Sequence, residues 1–118
     1  MAGVPGVGSG NGLLEVRIAA PAADAPRIAR LLVEERLAAC TQVLPGMTST
    51  FRWDGEVTTA DEDLVLAKTH RSRFDAILER VGEVHPYETP EIIAVPIVEA
   101  SAAYAAWLVA EVSQGGGS

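Results

Sequence analysis

The densest concentration of chemically capable side chains is His85-Pro86-Tyr87-Glu88-Thr89-Pro90-Glu91, which leads directly into Ile92-Ile93. An imidazole nitrogen and nearby carboxylates are donors suited to Cu²⁺ or Zn²⁺, and the single cysteine, Cys40, would add a soft thiolate. The candidate metal ligands are therefore Cys40, His85 and Glu88. No HExxH or CxxC spacing orders them, so a structural turn in which Tyr87 packs and Glu88 meets solvent stands beside the metal reading. For Cys40 the plainer role is that of a small buried strand residue following Ala38-Ala39. Glu91 opens an otherwise apolar strand, and burial there would demand a cation, with Lys68 the candidate partner. Lys68 and Glu91 read either as a structural pair or, with Trp53 and Tyr87, as the lining of an intersubunit cleft that takes an anionic small molecule.

Other candidates carry weaker chemistry. His70 follows Lys68-Thr69 in a loop and reads as a solvated histidine. Trp107 lies at helical spacing from Tyr104 and Leu108 and reads as core. The Asp61-Glu62-Asp63 run is expected to be a solvated turn or bulge, without the loop pattern of a calcium site. Gly6-Val7-Gly8-Ser9-Gly10 precedes a strand instead of following one, which argues against a phosphate loop. No serine, histidine and acid stand in a hydrolase motif, so the chain reads as a non-enzyme with no required cofactor.

Presenting these side chains requires rigid elements. Each proline of the motif fixes its own φ and pushes the residue before it, His85 or Thr89, towards extended geometry. Upstream, Leu14, Val16 and Ile18 alternate with Glu15 and Arg17 as a first strand ending near Pro21. Asp24 offers an N-cap to an amphipathic helix reaching about Leu37, with Ile28, Leu31 and Leu32 on one face. A second strand starts near Ala39, is interrupted at Pro45-Gly46 and resumes over 48–53. Asp54-Gly55 is a hairpin turn needing positive φ twice, and it sets Trp53 opposite Glu56 and Phe51 opposite Thr58. The return strand over 56–69 carries Leu64-Val65-Leu66-Ala67 and belongs at the sheet centre. A second helix follows a capping-box-like Ser72 and Asp75, with Phe74, Ile77, Leu78 and Val81 making it amphipathic. A fourth strand spans 92–97, and Ser101 caps a C-terminal helix.

This order specifies an α+β chain, a ferredoxin-like βαββαβ sandwich with a long kinked hairpin and a C-terminal helix. Its spatial strand order, 4-1-3-2, leaves the second and fourth strands at opposite edges. Cys40 then sits at one edge and His85 before the other, at opposite ends of the sheet, so a site using both must be shared between subunits. One folded unit is expected over 13–112, between flexible glycine-rich tails at 1–12 and 113–118.

The hairpin is too long for the helix layer. A strand over 39–53 covers about 50 Å at ~3.3 Å per residue, against roughly 20 Å for a helix over 24–37. The overhang places Met47, Ser49, Phe51 and Trp53 on one face with nothing in the chain to cover them, which predicts obligate self-association. The 118 residues are 48% apolar, enough for one core, and 16 acidic against 9 basic residues give a net charge of −7. That balance disfavours nucleic acid and anionic membranes as partners. The lone cysteine, the absence of a membrane-length apolar run and the absence of a signal-peptide pattern at the start point to a cytoplasmic location.

The assembled residues resemble the CutA family of divalent-cation tolerance proteins. The resemblance runs through Ala38-Ala39-Cys40, Pro45-Gly46, Ser49, Phe51-Arg52-Trp53-Asp54-Gly55, Glu62, Lys68-Thr69, the His85 to Ile93 motif and Trp107. It implies a tight homotrimer joined through edge strands and a role in tolerance of copper and other divalent cations, with Cu²⁺ bound weakly at intersubunit or surface sites. The trimeric nitrogen-regulatory signalling proteins share this plan, and the alternative it implies is a ligand-sensing or scaffold trimer in which metal tolerance is indirect.

Overall fold

The computed structural model describes residues 10–113. The elements are β1 (Leu13–Ala20), α1 (Ala25–Glu34), β2 (Cys40–Trp53), β3 (Glu56–His70), a 3-10 turn (Arg71–Arg73), α2 (Phe74–Val84), β4 (Ile92–Pro96) and α3 (Ala102–Ser113). All strand pairs are antiparallel and the sheet order is β2-β3-β1-β4, the ferredoxin-like arrangement expected from the element order.

Strand alternation sends Val16, Ile18, Val65 and Ala67 to one face, where they meet Ile28 and Leu32 of α1 and Ile77 and Val81 of α2. These side chains are fully buried, and each valine, leucine and isoleucine among them contributes about 1.5–3 kcal/mol relative to exposure. Helix α1 ends where Arg36 adopts φ 58°, the left-handed conformation that glycine usually supplies. Arg36 N–H donates to the Val33 carbonyl and Leu37 N–H to the Leu32 carbonyl, closing the helix and turning the chain into β2. The entry differs from the expected cap: the Asp24 carboxylate pairs with Arg27 at 2.8 Å and makes no cap hydrogen bond. At the entry to the 3-10 turn that precedes α2, His70 Nδ1 accepts from Ser72 N–H, so His70 is a half-buried capping residue, not a solvated one.

The third helix departs most from expectation. It buries Leu108 and Val112 against Leu13 and Ala39, a small cluster separate from the main core. Leu13 points to the opposite side of β1 from Val16, so α3 does not join α1 and α2 on their face. Tyr104 and Trp107 are exposed and pack on each other with ring centroids 5.6 Å apart. Nearly every residue of α3 is apolar or small, so periodicity could not single out its buried stripe. Within the expected tails, residues 1–9 and 114–118, including most of the glycine run, lie outside the described residues. Gly12 is held, its carbonyl accepting from Arg71 N–H at 2.7 Å. Ser113 is the last residue of α3.

The hairpin follows its sequence closely. Asp54 and Gly55 have φ of 54° and 82°, and Trp53 pairs with Glu56 and Phe51 with Thr58. Between Leu44 and Met47 the register shifts, with Pro45 and Gly46 set against Asp63 as a β-bulge. Proline has no N–H for the ladder, while Gly46 N–H turns to the Asp63 carboxylate at 3.2 Å. β1 pairs with β3 only from Asp63 to His70, so residues 47–53 and 56–62 stand beyond the sheet as a two-stranded ribbon. Trp53 and Val57 on that ribbon are 65% and 64% exposed.

Candidate functional site

The ribbon leans over the end of β1 and meets the turn that leads into β4. Between them lies a cavity of about 580 Å³ lined by Ala19, Ser49, Thr50, Phe51, Trp53, Thr58, Glu62, Tyr87, Glu88, Thr89 and Glu91. Its size lies in the range of small-molecule sites. Three of the four residues expected at a cleft, Trp53, Tyr87 and Glu91, therefore come together within a single chain.

One backbone position holds the turn in place. The Ala19 carbonyl bonds to His85 Nε2 at 2.8 Å, and Ala19 N–H donates to the Glu91 carbonyl at 3.4 Å, so both ends of 85–91 are tied to the end of β1. His85 Nδ1 accepts from Tyr87 N–H at 3.1 Å, which assigns the proton to Nε2. The ring is 7% exposed and packs 4.9 Å from the Tyr87 ring. With both nitrogens committed to backbone groups, His85 braces the turn and offers no lone pair to a metal.

Tyr87 bridges to the ribbon through Glu62. Burial, followed by hydrogen bonding and charge from Glu62, pushes the Tyr87 phenol above its ordinary value. Glu62 is 6% exposed and Asp63 is buried beside it, while Asp61 faces solvent. The acidic run is thus not a solvated turn: strand alternation carries Glu62 onto the face of Leu64 and Leu66, and the bulge opposite Asp63 accommodates the second carboxylate.

Lys68 and Glu91 do not pair. Glu91 is exposed at the cavity, whereas Lys68 lies across β1 from it at the level of Glu15, four residues along the strand from Ala19. There the Lys68 ammonium is 3.5 Å from the Glu15 carboxylate and 2.7 Å from Gln42 Oε1. Arg17, and with it Lys68, holds the Glu15 carboxyl below its usual value. Within one chain, Lys68 therefore lies outside the cavity lining.

Cys40 pairs with Lys68 at that same distant end, half-buried on the edge strand β2. Its neighbour is Tyr104, whose phenol is pushed up first by burial and then by Cys40. Cys40, His85 and Glu88 consequently do not converge. Among the described residues no three His, Cys, Asp or Glu side chains gather in a way that could hold a metal ion. Glu62 is the site residue that residue-type reasoning missed. The signal available was its register: counted back from Asp54-Gly55, before the bulge is reached, it falls opposite Met47, on the face of Phe51 and Trp53.

The family model for the CutA1 divalent ion tolerance protein matches residues 15–111. The chain belongs to that family. Among its CutA relatives, the divalent-cation tolerance protein of Thermus thermophilus is 49% identical over 94 residues, covering 79% of this chain and 91% of that protein. The CutA fold matches the solved Thermus structure with a TM-score of 0.81 at 46% identity, covering 84% and 97% of the two chains. It also matches the PII-like protein CutA from Nostoc sp. PCC 7120, solved in apo form, with a TM-score of 0.79 at 30% identity over 84% and 96%. Plant CutA proteins are longer: the chain spans 45% of the chloroplastic protein of Arabidopsis thaliana.

Proposed function

We propose that this chain serves divalent-cation tolerance as a cytoplasmic, non-enzymatic homotrimer whose cavities bind a small ligand, with tolerance following from that binding. The supporting observation is the cavity itself, built jointly by the hairpin overhang and the braced turn at 85–91. The likeness to a PII-like protein accords with a sensing role. Binding is favoured over catalysis because His85, the natural general base near the cavity, has both nitrogens engaged by backbone groups.

Assembly follows from the edges. β2 and β4 are unpaired at opposite edges, and a ring in which the β2 edge of one copy meets the β4 edge of the next satisfies both. The same contact would cover Leu44 and Ile93, both exposed on edge strands. Light scattering at micromolar concentration should give three times the chain mass of 12.4 kDa, and a monomer mass would overturn the assembly. A thermal-shift screen of metabolites in chelator should reveal a stabilising organic ligand.

Direct copper binding is the second reading, favoured by the exposed Glu88 and Glu91 and by a half-buried thiol on edge strand β2. It requires surface sites or sites completed between subunits. Calorimetry with Cu²⁺ on the wild type, Cys40→Ser and Glu88→Gln tests it: affinity unchanged by both substitutions excludes these ligands.

A further inference from the structure

The cavity's lining is chemically one-sided. It carries three carboxylates, Glu62, Glu88 and Glu91, and three aromatic rings, Phe51, Trp53 and Tyr87, with no Lys, Arg or His side chain among its lining residues. Glu62 is more than nine-tenths buried and, among the described residues, takes part in no ion pair. Its partner is the neutral Tyr87 hydroxyl, as Gly46 N–H is for Asp63, whereas Glu15 at the other end of the sheet has the cations Arg17 and Lys68. Three carboxylates with no cationic side chain between them give the cavity a negative lining that attracts a cation.

A bare metal ion does not suit the arrangement, because the three carboxylates line the cavity without gathering into a metal-holding group. The volume and the aromatic walls suit a larger cation with an apolar body. Aromatic faces attract ammonium groups through the ring quadrupole, and carboxylates add charge-assisted hydrogen bonds. We infer that the cavity selects organic ammonium cations, the apolar part resting against Phe51 and Trp53 and the nitrogen directed to Glu62 and Tyr87. This rests on the ligand-binding reading above and adds the charge and class of the ligand.

Three probes of one shape separate the possibilities: benzylammonium, benzyl alcohol and benzoate, titrated calorimetrically into the full chain at neutral pH with chelator present. Benzylammonium should bind at least about tenfold more tightly than benzyl alcohol, the ratio worth one desolvated charge interaction, and benzoate should give no heat. Glu62→Gln, which keeps the side-chain shape, should reduce benzylammonium to the level of benzyl alcohol without changing the alcohol. Glu91→Gln alters an exposed residue, spares the fold and should weaken benzylammonium by about two- to threefold. Benzyl alcohol or benzoate binding as tightly as benzylammonium overturns the inference and leaves the ligand-binding reading standing. Silence from all three probes also overturns it, and the broader reading then falls only if the metabolite screen is silent as well.

Discussion

The two ends of one sheet treat their charged groups in opposite ways. At the end where β1 begins, Glu15, Arg17, Lys68 and Gln42 satisfy one another, and α3 closes over Leu13 beside them. At the other end Glu62 is buried without a cation, Trp53 and Val57 are largely exposed, and a cavity stands open between ribbon and turn. Both ends contain residues that looked able to do chemistry. The difference teaches that a polar residue's role is set by whether the chain already supplies its partner: the Lys68 end is complete as structure, and the Glu62 end is left to a ligand or another copy.

The sharpest way to break this contrast is at the brace. His85→Ala removes a buried ring and both of its backbone hydrogen bonds, at a cost of roughly 2–4 kcal/mol, and frees the turn that forms one cavity wall. Chemical denaturation should show the loss, and near-wild-type stability would mean that the turn is held by its prolines alone. Next is the completed end, where Lys68→Met leaves Glu15 with Arg17 as its remaining cation and should cost about 1 kcal/mol. Because the folded Glu15 value is depressed, its contribution is present above the ordinary carboxyl value of 4.5 and is lost as pH falls through the lower folded value. Glu15→Gln should flatten that part of the acid limb of the stability profile, and an unchanged limb would remove Glu15 as its source.

Much of the fold was legible because its signals were local and mutually consistent. Alternation in Leu14, Val16 and Ile18, the Asp54-Gly55 turn and the Pro45-Gly46 interruption each dictated one geometry, and strand order followed from element order. Clustering Trp53 with Tyr87 and Glu91 was legible for the same reason, since register fixes which hairpin residues share a face. The pairing of Lys68 with Glu91 failed because it rested on charge complementarity without a level along the strand: Glu15 lies directly opposite Lys68 and takes it first. Glu62 escaped notice because acidic runs are ordinarily solvated, and its partner, Tyr87, comes from the 85–91 turn, far along the chain. Tyr104 and Trp107 were misplaced because a nearly uniform apolar helix has no stripe to read.

A smaller effect separates the exposed ribbon from the rest of the chain. Val57→Glu changes a residue 64% exposed, so the fold of one chain should hold to within about 0.5 kcal/mol. If the ribbon is buried between copies, the same change should weaken assembly about fivefold or more, read as subunit dissociation at higher protein concentration in light scattering. Unchanged assembly would place the ribbon outside the subunit contact and leave Trp53 and Val57 for some other partner.

The finest comparison is electrostatic. The chain has two tyrosines, Tyr87 at the open end and Tyr104 beside Cys40 at the completed one, and both phenols are raised, each first by burial. In a Tyr104→Phe background the phenolate absorbance reports Tyr87 alone and should rise at a pH above the ordinary value of 10. The corresponding stability is whole below that value and is lost as pH rises through the raised folded one, because ionisation is easier in the unfolded chain. Glu62→Gln removes the neighbouring charge and should shift the Tyr87 titration downward, though not to the ordinary value, since burial persists. Lys68→Met, at the distant end, should leave it in place. Equal shifts from both substitutions would mean that the two ends share one electrostatic environment, and the division between a completed end and an open one would not survive.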